Sequence, residues 1–414
     1  MDMTTLELPV VTAREPRTLS RKASFWTAAV VAGLSLWTSA APTTTYPLYA
    51  KTWHLTPTAT TAIFAVYPIV LVVFLLVFGQ LSDYIGRRTT MLYGLGAMLG
   101  GVLLFAVAPS VGWVYAGRAL MGVGVGLALA PATAAAVEFS ARGKAARASS
   151  VTTAATTVGL SLATIVGGGL IQYGPAPRHL DFWVLVGVIA LVFPFVWAMP
   201  RHTKDESQGH WRPRPIRVPK GIRLLYAAAA LAVTTSFAFG TVFLALGAQL
   251  ARDLIGSTNI FVTGLVLAIL SATGGVTAIL TRGIPAGRQV LVGTGFVAAA
   301  LTLLVVSAQA HSLPLFILTS LLGGVSYGLL FSGGLGLVAT HAPAHHRGGT
   351  VSAVYLVAYV GQGTVALSLG AIATASGLST ALLLGVLAIG VLTVLAFGVA
   401  GLLAVRGNLE TEVR

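Results

Sequence analysis

One short segment, Gly79 to Arg88 (GQLSDYIGRR), places an acid and two bases between two long apolar stretches. Asp83 is an acceptor that suits the unpaired N–H groups and positive dipole of a helix N-terminus. Gly79 allows a neighbouring helix to approach closely, and Gly86 permits a tight turn. Arg87 and Arg88 favour a polar phase. We therefore expect a loop whose carboxylate binds the start of a nearby helix.

The composition of the chain indicates that these charges lie beside a membrane. Of 414 residues, 56% are hydrophobic and 9% are charged, and the mean hydropathy is +0.88. About 20 apolar residues form a helix that crosses a bilayer, and continuous rather than alternating apolar runs disfavour strands. We expect an all-α polytopic membrane protein with twelve spans. They run approximately over 25–50, 58–82, 88–108, 112–138, 149–173, 180–200, 221–250, 257–282, 289–309, 312–340, 350–375 and 377–405.

The first span allows a second interpretation. Four basic residues followed by an apolar run ending in WTSAAP resemble a cleaved signal peptide. Removing this span would leave an odd number of spans and break the symmetry described below, so we favour a retained span. The chain has no cysteine and therefore has neither disulfides nor thiolate metal sites.

The net charge of +14 is distributed unevenly. With a cytoplasmic N-terminus, 21 of the 25 Lys and Arg fall on the cytoplasmic side, Lys51, Arg178 and Arg252 fall on the other, and Arg118 falls inside a span. This is the positive-inside bias that orients membrane proteins. It predicts a multi-pass protein of the cell membrane with both termini in the cytoplasm, and it argues against binding of nucleic acid.

A polar stretch, Arg201 to Lys220, separates six spans from six. GRR at Gly86 and GRQ at Gly287 are 201 residues apart, and GVGVG at Gly122 and GVSYG at Gly324 are 202 apart. These echoes favour two pseudo-symmetric six-helix bundles, a layout suited to a transporter whose substrate site lies between rocking halves. The expected divisions are a tail over 1–24, a bundle over 25–200, a central loop over 201–220, a bundle over 221–405 and a tail over 406–414.

The opening segment resembles a family signature. Gly79-x-Leu81-Ser82-Asp83-x-x-Gly86-Arg87-Arg88 matches, at every defining position, the loop between spans two and three of the major facilitator superfamily. The resemblance covers the whole chain and implies a secondary transporter that works by alternating access.

In that family the loop forms a latch between the halves on the inner side. The resemblance implies that Asp83 binds the start of span eleven near Gly349 and that Arg87 contacts Glu138. The degenerate copy after span eight, TRGIPAGR, has Ile284 where the acid would be. The expected latch residues are Gly79, Asp83, Gly86, Arg87, Arg88 and Glu138.

Span four carries a second match, Arg118-x-x-x-Gly122-x-Gly124-x-Gly126, which resembles the family's buried-arginine motif. An arginine at this depth is costly and usually functional. Arg118 would face the central cavity, where it would bind carbonyls around the Pro42 break in span one or an anionic substrate group. The alternative is that it snorkels to the outer surface.

Span five matches only in part the exporter motif Gly-x-x-x-Gly-Pro-x-x-Gly-Gly. Ala163-Thr164 replaces Gly-Pro, while Gly159, Gly167 and Gly168 are kept. This favours a drug-efflux-like exporter, although ordinary packing of small residues explains the glycines equally well. With Gly122, Gly124 and Gly126 they form the expected helix-packing positions.

The acidic residues give no obvious coupling site. Asp181 and Asp253 are placed in outer loops, and neither an acid nor a histidine is placed near the membrane midplane. His341, His345 and His346 are placed at the inner end of span ten. Proton coupling needs a titratable group that reaches both sides in turn. Three alternatives for the energy source stay open: protonation of the Asp83/Glu138 group, protons coupled to the substrate, and facilitated diffusion. Protons are thus one candidate coupling ion.

Uncharged polar and aromatic residues are the candidates for lining the cavity. Such a surface suits amphipathic or hydrophobic organic molecules better than sugars or phosphates. Helix packing or an interfacial belt is the alternative for each of them taken singly. Besides Arg118, the candidates are Trp37, Thr44, Tyr46, Tyr67, Gln249, Tyr327, Tyr355, Tyr359 and Gln362.

Four alternatives compete with export. Uptake of an organic anion would use Arg118 as counter-charge. An intramembrane enzyme needs catalytic residues at depth, and none is evident. A receptor or scaffold would keep the fold but transport nothing. An ATP-driven pump would need a phosphate-binding loop, and this sequence contains no such motif. We expect no enzyme activity, cofactor or metal, and a monomer whose partners are a small-molecule substrate and the lipid bilayer.

Overall fold

The computed structural model describes residues 18–78, 81–141, 145–201, 220–341 and 344–412. Within these ranges the chain forms helices and no strand. The N-terminal half contains α1 (Arg21–Ala40), α2 (Tyr46–Thr52), α3 (Pro57–Phe78), α4 (Leu81–Ile85), α5 (Arg87–Ala106), α6 (Val111–Phe139), α7 (Ala145–Tyr173) and α8 (Leu180–Trp197). The C-terminal half contains α9 (Arg223–Thr241), α10 (Gly247–Asp253), α11 (Ile260–Leu280), α12 (Ala286–Gln309), α13 (Leu313–His341), α14 (Ala344–Ser376) and α15 (Leu378–Glu412).

Twelve candidate spans, long and apolar enough to cross a membrane, are found in the described part of the chain. The prediction of a twelve-span helical membrane protein is confirmed. Large apolar side chains remain exposed on the outer faces of the helices, for example Leu387 and Val394 on α15. Lipid is the solvent that makes such exposure favourable.

Two spans are interrupted at equivalent places. Between α1 and α2 the chain forms a 3-10 turn, Ala41–Thr44, because Pro42 has no N–H to continue the α-helical hydrogen bonds. Between α9 and α10 it forms a π-helical segment, Val242–Leu246. The two breaks are 201 residues apart, the same offset as one of the sequence echoes.

The two halves repeat the same pattern of helix packing. In the N-terminal half α1 packs on α6 and α7, α5 packs on α6 and α8, and α3 packs on α6. The equivalent pairs in the C-terminal half are α9 with α13 and α14, α12 with α13 and α15, and α11 with α13. The halves meet through two symmetric contacts, α3 with α14 and α7 with α11. The prediction of two pseudo-symmetric six-helix bundles is confirmed.

The α7–α11 contact runs along most of both helices. Gln172 accepts a hydrogen bond from the N–H of Ile260 at one end (2.9 Å), and Arg282 donates to Ser150 at the other (2.7 Å). We call the two ends of the molecule the Asp181 end and the Arg87 end after residues that lie there. The Asp181 end includes α2 and α10, which contact each other across the halves.

Candidate functional site

The structure places one predicted pair of latch residues in direct contact. Arg87 Nε lies 2.9 Å from Glu138 Oε2, and each side chain is about one third exposed. Gly86, which precedes α5, has φ +86°, a conformation that favours glycine. Gly79 lies outside the described residues, and so does the side chain of Asp83. The contact with span eleven stays a prediction.

Two further arginines satisfy carbonyls at helix C-termini. Arg88 donates to the carbonyl of Met199 (3.1 Å), just beyond α8, and stacks over Trp197. Arg21 donates to the carbonyls of Glu138, Phe139 and Ser140 at the end of α6. Cations in these positions complement the negative end of the helix dipole. These contacts all lie within the N-terminal half.

A bond between the halves at the Arg87 end comes from the degenerate repeat. Arg282, in the TRGIPAGR segment, donates to Ser150 of α7. Sequence inspection missed this residue because only the absent acid of the repeat was considered. Arg282 itself, a basic residue just after α11, was the feature of the sequence that could have identified this contact.

Exchanging the charges of Arg87 and Glu138 tests whether their ion pair matters. Because the pair is partly exposed, it is worth about 1 kcal/mol or less. We expect Arg87→Glu and Glu138→Arg each to lower the transport rate about two- to fivefold, and the double exchange to restore most of it. Transport rates in a double-mutant cycle measure the coupling. A double variant as slow as the worse single variant would contradict the predicted coupling between the two side chains.

Arg118 is buried completely inside the N-terminal half. Its Nη1 donates to the carbonyl of Ser39 (2.8 Å), just before the break in the first span. Its Nε and Nη2 lie 3.4 Å from the carbonyls of Ile63 and Phe64 on α3. The guanidinium also lies 4.7 Å from the centre of the Tyr67 ring, a cation–π distance. The side chain therefore does not reach the surface, as snorkelling would require.

A proline explains one of these carbonyls. In a helix the carbonyl of Phe64 would accept from the N–H four residues later, but that residue is Pro68, inside α3, which has no N–H. Arg118 supplies the missing donor. The guanidinium thus joins α6 to the end of α1, just before the Pro42 break, and to α3, which contains Pro68.

The C-terminal half presents a cluster of five aromatic side chains, which we call the aromatic box. Phe237 on α9 lies 5.0 Å from Tyr359, 5.9 Å from Phe331 and 6.3 Å from Tyr327, between ring centres. Tyr355 lies 6.1 Å from Tyr359 and 6.3 Å from Phe331. Such distances are typical of favourable ring–ring contacts.

Tyr67 connects the two halves of this site. Its hydroxyl is within electrostatic range of Tyr327 and Tyr359 in the aromatic box, while its ring covers Arg118. The structure therefore brings together five of the predicted cavity residues: Arg118, Tyr67, Tyr327, Tyr355 and Tyr359. It adds two that sequence inspection missed, Phe237 and Phe331. Phe331 lies one turn beyond Tyr327, a spacing that could have identified it.

The other predicted cavity residues lie elsewhere. Gln362 follows Tyr359 by one turn of α14 and is buried, with its Oε1 unpaired. Gln249 is buried in α10 at the Asp181 end. Trp37 precedes the break in the first span, Thr44 lies in it and Tyr46 follows it. The polar side-chain atom of each is buried without a hydrogen-bond partner.

The predicted packing glycines lie at close helix contacts. A Cβ on Gly122 would lie 2.8 Å from the carbonyl oxygen of Tyr67, and one on Gly124 would lie 2.6 Å from the main-chain nitrogen of Met98. A Cβ on Gly126 would meet Phe74, and one on Gly168 would meet Ile260 of the other half. A Cβ on Gly159 would meet Gly33 of α1, and one on Gly167 would meet Thr44.

The placement of Asp181 in an outer loop is wrong. Asp181 lies in the first turn of α8, and its side chain is only 1% exposed. Neither carboxylate oxygen has a hydrogen-bond partner. The error arose because a charge near the end of a span usually lies in solvent, whereas here the segment after the Pro42 break helps to bury it. Asp253, also placed in a loop, ends α10 and pairs with Arg252.

Comparison with known proteins agrees with this architecture. The family described as Major Facilitator Superfamily matches residues 25–365. No match is found among curated proteins. Two solved structures of a bacterial homolog to the human lysosomal transporter Spinster, both inward-facing, are similar in fold at 14% identity. The unoccupied form has a TM-score of 0.71 and covers 92% of this chain and 97% of that one. The occupied form has a TM-score of 0.68 and covers 94% and 97%.

The family match covers most of the chain, and twelve helices in two repeated bundles fit it. Members of the family are transporters rather than enzymes. The chain therefore belongs to the Major Facilitator Superfamily and is a multi-pass membrane transporter with the alternating-access fold.

Proposed function

We propose that the protein exports small amphipathic or hydrophobic organic compounds across the cytoplasmic membrane. The observation that carries the proposal is the aromatic box, whose five rings pack on one another and whose Tyr327 and Tyr359 lie within electrostatic range of Tyr67 in the opposite half. Aromatic faces bind flat apolar molecules through area and stacking. A few hydroxyls add orientation without demanding one particular set of donors.

The position of the box suits alternating access. Phe237 and Tyr327 belong to one half and Tyr67 to the other. A substrate held between them would be exposed to opposite sides as the halves rock. The proposal also includes both termini in the cytoplasm, a monomeric state and protons as the coupling ion. The two six-helix bundles are proposed to run over 25–200 and 221–405.

Uptake of an organic anion is the second candidate. Arg118 supports it, since carbonyl oxygens solvate a guanidinium without cancelling its charge. Against it, the side chain is covered by Tyr67 and already donates to carbonyls of Ser39, Ile63 and Phe64. An anion would have to displace this ring, so export of a weakly polar compound is the better supported function.

Accumulation of a cationic dye in an efflux-deficient bacterium tests the proposal. Cells would carry the wild-type protein, Asp83→Asn or an empty vector, with protein levels matched. We expect the wild type to lower dye accumulation, and Asp83→Asn to lose most of that effect because it weakens the predicted latch rather than the core. Higher accumulation with the wild type would indicate uptake. An Asp83→Asn variant that exports at the wild-type rate would remove the latch from the mechanism.

A further inference from the structure

Buried polar atoms without hydrogen-bond partners occur at Asp181 and in the segment that follows the Pro42 break. They are the carboxylate oxygens of Asp181, the hydroxyls of Thr44 and Thr45, and the hydroxyls of Tyr46 and Tyr49. We call these five residues the Asp181 cluster. Most buried polar groups in proteins are hydrogen-bonded, so several unpaired ones close together suggest an absent ligand.

The glycine at position 167 places two of these groups together. A Cβ on Gly167 would lie 2.7 Å from Thr44 Oγ1 and 3.2 Å from Asp181 Oδ2. Both oxygens therefore border the same small space on the face of α7. Tyr49 is within electrostatic range of both Asp181 and Tyr46. The cluster thus offers a carboxylate and neighbouring hydroxyls, all of them oxygen ligands.

The surroundings of Asp181 provide no counter-ion among the described side chains. Arg178 precedes it but forms no ion pair with it, and the ring of His179 is bound to the carbonyl of Ala106. Of the helices packed on α8, α1 and α5 have their basic residues at the Arg87 end. On α7, Arg147 lies at that same end and Tyr173 is exposed.

An ionised carboxylate buried without a partner is very costly, so a proton or a cation must join it. The start of α8 opposes this effect in part, because the positive end of an 18-residue helix favours a negative charge in its first turn. A group held between these two influences can change its protonation state when its burial changes. Of the proton and the cation, the proton is the simpler fit. A protonated carboxylate needs only one hydrogen-bond acceptor, and the unpaired hydroxyls of the cluster supply several.

The burial of Asp181 depends on a segment of the N-terminal half that also contacts the C-terminal half. Thr44, Tyr46 and Tyr49 belong to Ala41–Thr52, the stretch after the Pro42 break. Its α2 helix contacts α10 of the other half, and its 3-10 turn contacts α11. When the halves part at this end, the cover over Asp181 must move with these contacts.

We propose that Asp181 is the proton-binding site of this transporter. With Ala41–Thr52 closed over it, the carboxylate takes up one proton, and the resulting O–H donates to a hydroxyl of the cluster. When the segment moves away, the proton leaves to solvent and the carboxylate is restored. The proposal rests on the proton coupling proposed above and is independent of the proposed direction and substrate.

Infrared difference spectra of the purified protein in lipid test this directly. They are recorded without substrate between about pH 8 and about pH 6, a range in which exposed carboxylates with an ordinary pKa of about 4 stay ionised. We expect the wild type to gain a band from a protonated carboxylic acid as the pH falls. Asp181→Asn should lose that band, since an amide is close to the protonated acid in shape but cannot titrate. The matched control Asp253→Asn, at an exposed acid of the same end, should keep it.

Several outcomes would overturn the proposal. These are an unchanged band in Asp181→Asn, no such band in the wild type within this pH range, or a band removed by sodium at constant pH. The last would make the cluster a sodium site. If Asp181→Asn does not purify as a single species, isotope-labelled aspartate in the wild type must shift the band. Asp181→Glu must also restore a titrating band. Dye export plays no part in this measurement, so failure of the proposed function stays distinguishable.

Discussion

Replacing Arg118 with alanine is expected to stop transport and to destabilise the N-terminal half. The substitution removes the donors that bind the carbonyls of Ser39, Ile63 and Phe64. Hydrogen bonds from a charged donor are worth about 1.5–3 kcal/mol each. Two of the three distances are long, so we expect a total loss of roughly 3–5 kcal/mol in the free energy of unfolding. The carbonyl of Phe64 would then lack any donor, because Pro68 cannot supply one.

Arg118→Lys separates charge from geometry. A lysine keeps the positive charge, but a single ammonium cannot span carbonyls on two helices as the planar guanidinium does. We expect this variant to recover part of the stability and little of the transport. Arg252→Ala is the control, because Arg252 pairs only with the adjacent Asp253 at a partly exposed site.

Melting temperature in detergent and transport in proteoliposomes measure the two effects separately. Loss of transport with unchanged melting would assign Arg118 to the substrate instead of to the scaffold. Unchanged transport and melting in Arg118→Ala would contradict both roles.

The parts of the fold that depend on length and composition were predictable from sequence. A run of about 20 apolar residues has only one good conformation in lipid, which is why the twelve spans were found. The division into two bundles followed from one polar stretch, Arg201 to Lys220, and from two echoes at nearly equal offsets. Positive residues at one set of loops gave the expected orientation.

The site was harder to predict from the sequence, because it depends on which helix faces converge. Tyr355 and Tyr359 were candidates by type and spacing. Phe237 gave no separate signal in a chain with 17 phenylalanines, and the only signal for Phe331 was its spacing from Tyr327. Asp181 was misplaced for a related reason. Its burial comes from Thr44 and Tyr49, which precede it by more than 130 residues.

The glycines of α7 carry the second large prediction. A Cβ on Gly159 would lie 1.9 Å from the carbonyl oxygen of Gly33 on α1. The main chains of the two helices are in contact here, and small residues at both positions are what allow this approach. We expect Gly159→Leu to force α1 and α7 apart and to leave little monodisperse protein. Its cost would exceed the roughly 1–3 kcal/mol usual for overpacking, because main-chain atoms rather than a side chain block the space.

Gly187→Leu is the matched control for this experiment. Gly187 lies within α8 of the same half, and a Cβ there would meet nothing within 4 Å. Both variants add the same side chain to a membrane-spanning helix, so a general effect of leucine on insertion would appear in both. Size-exclusion profiles and melting temperatures should therefore separate Gly159→Leu from Gly187→Leu and the wild type. Equal behaviour of the two variants would show that α1 and α7 do not pack this closely in the membrane.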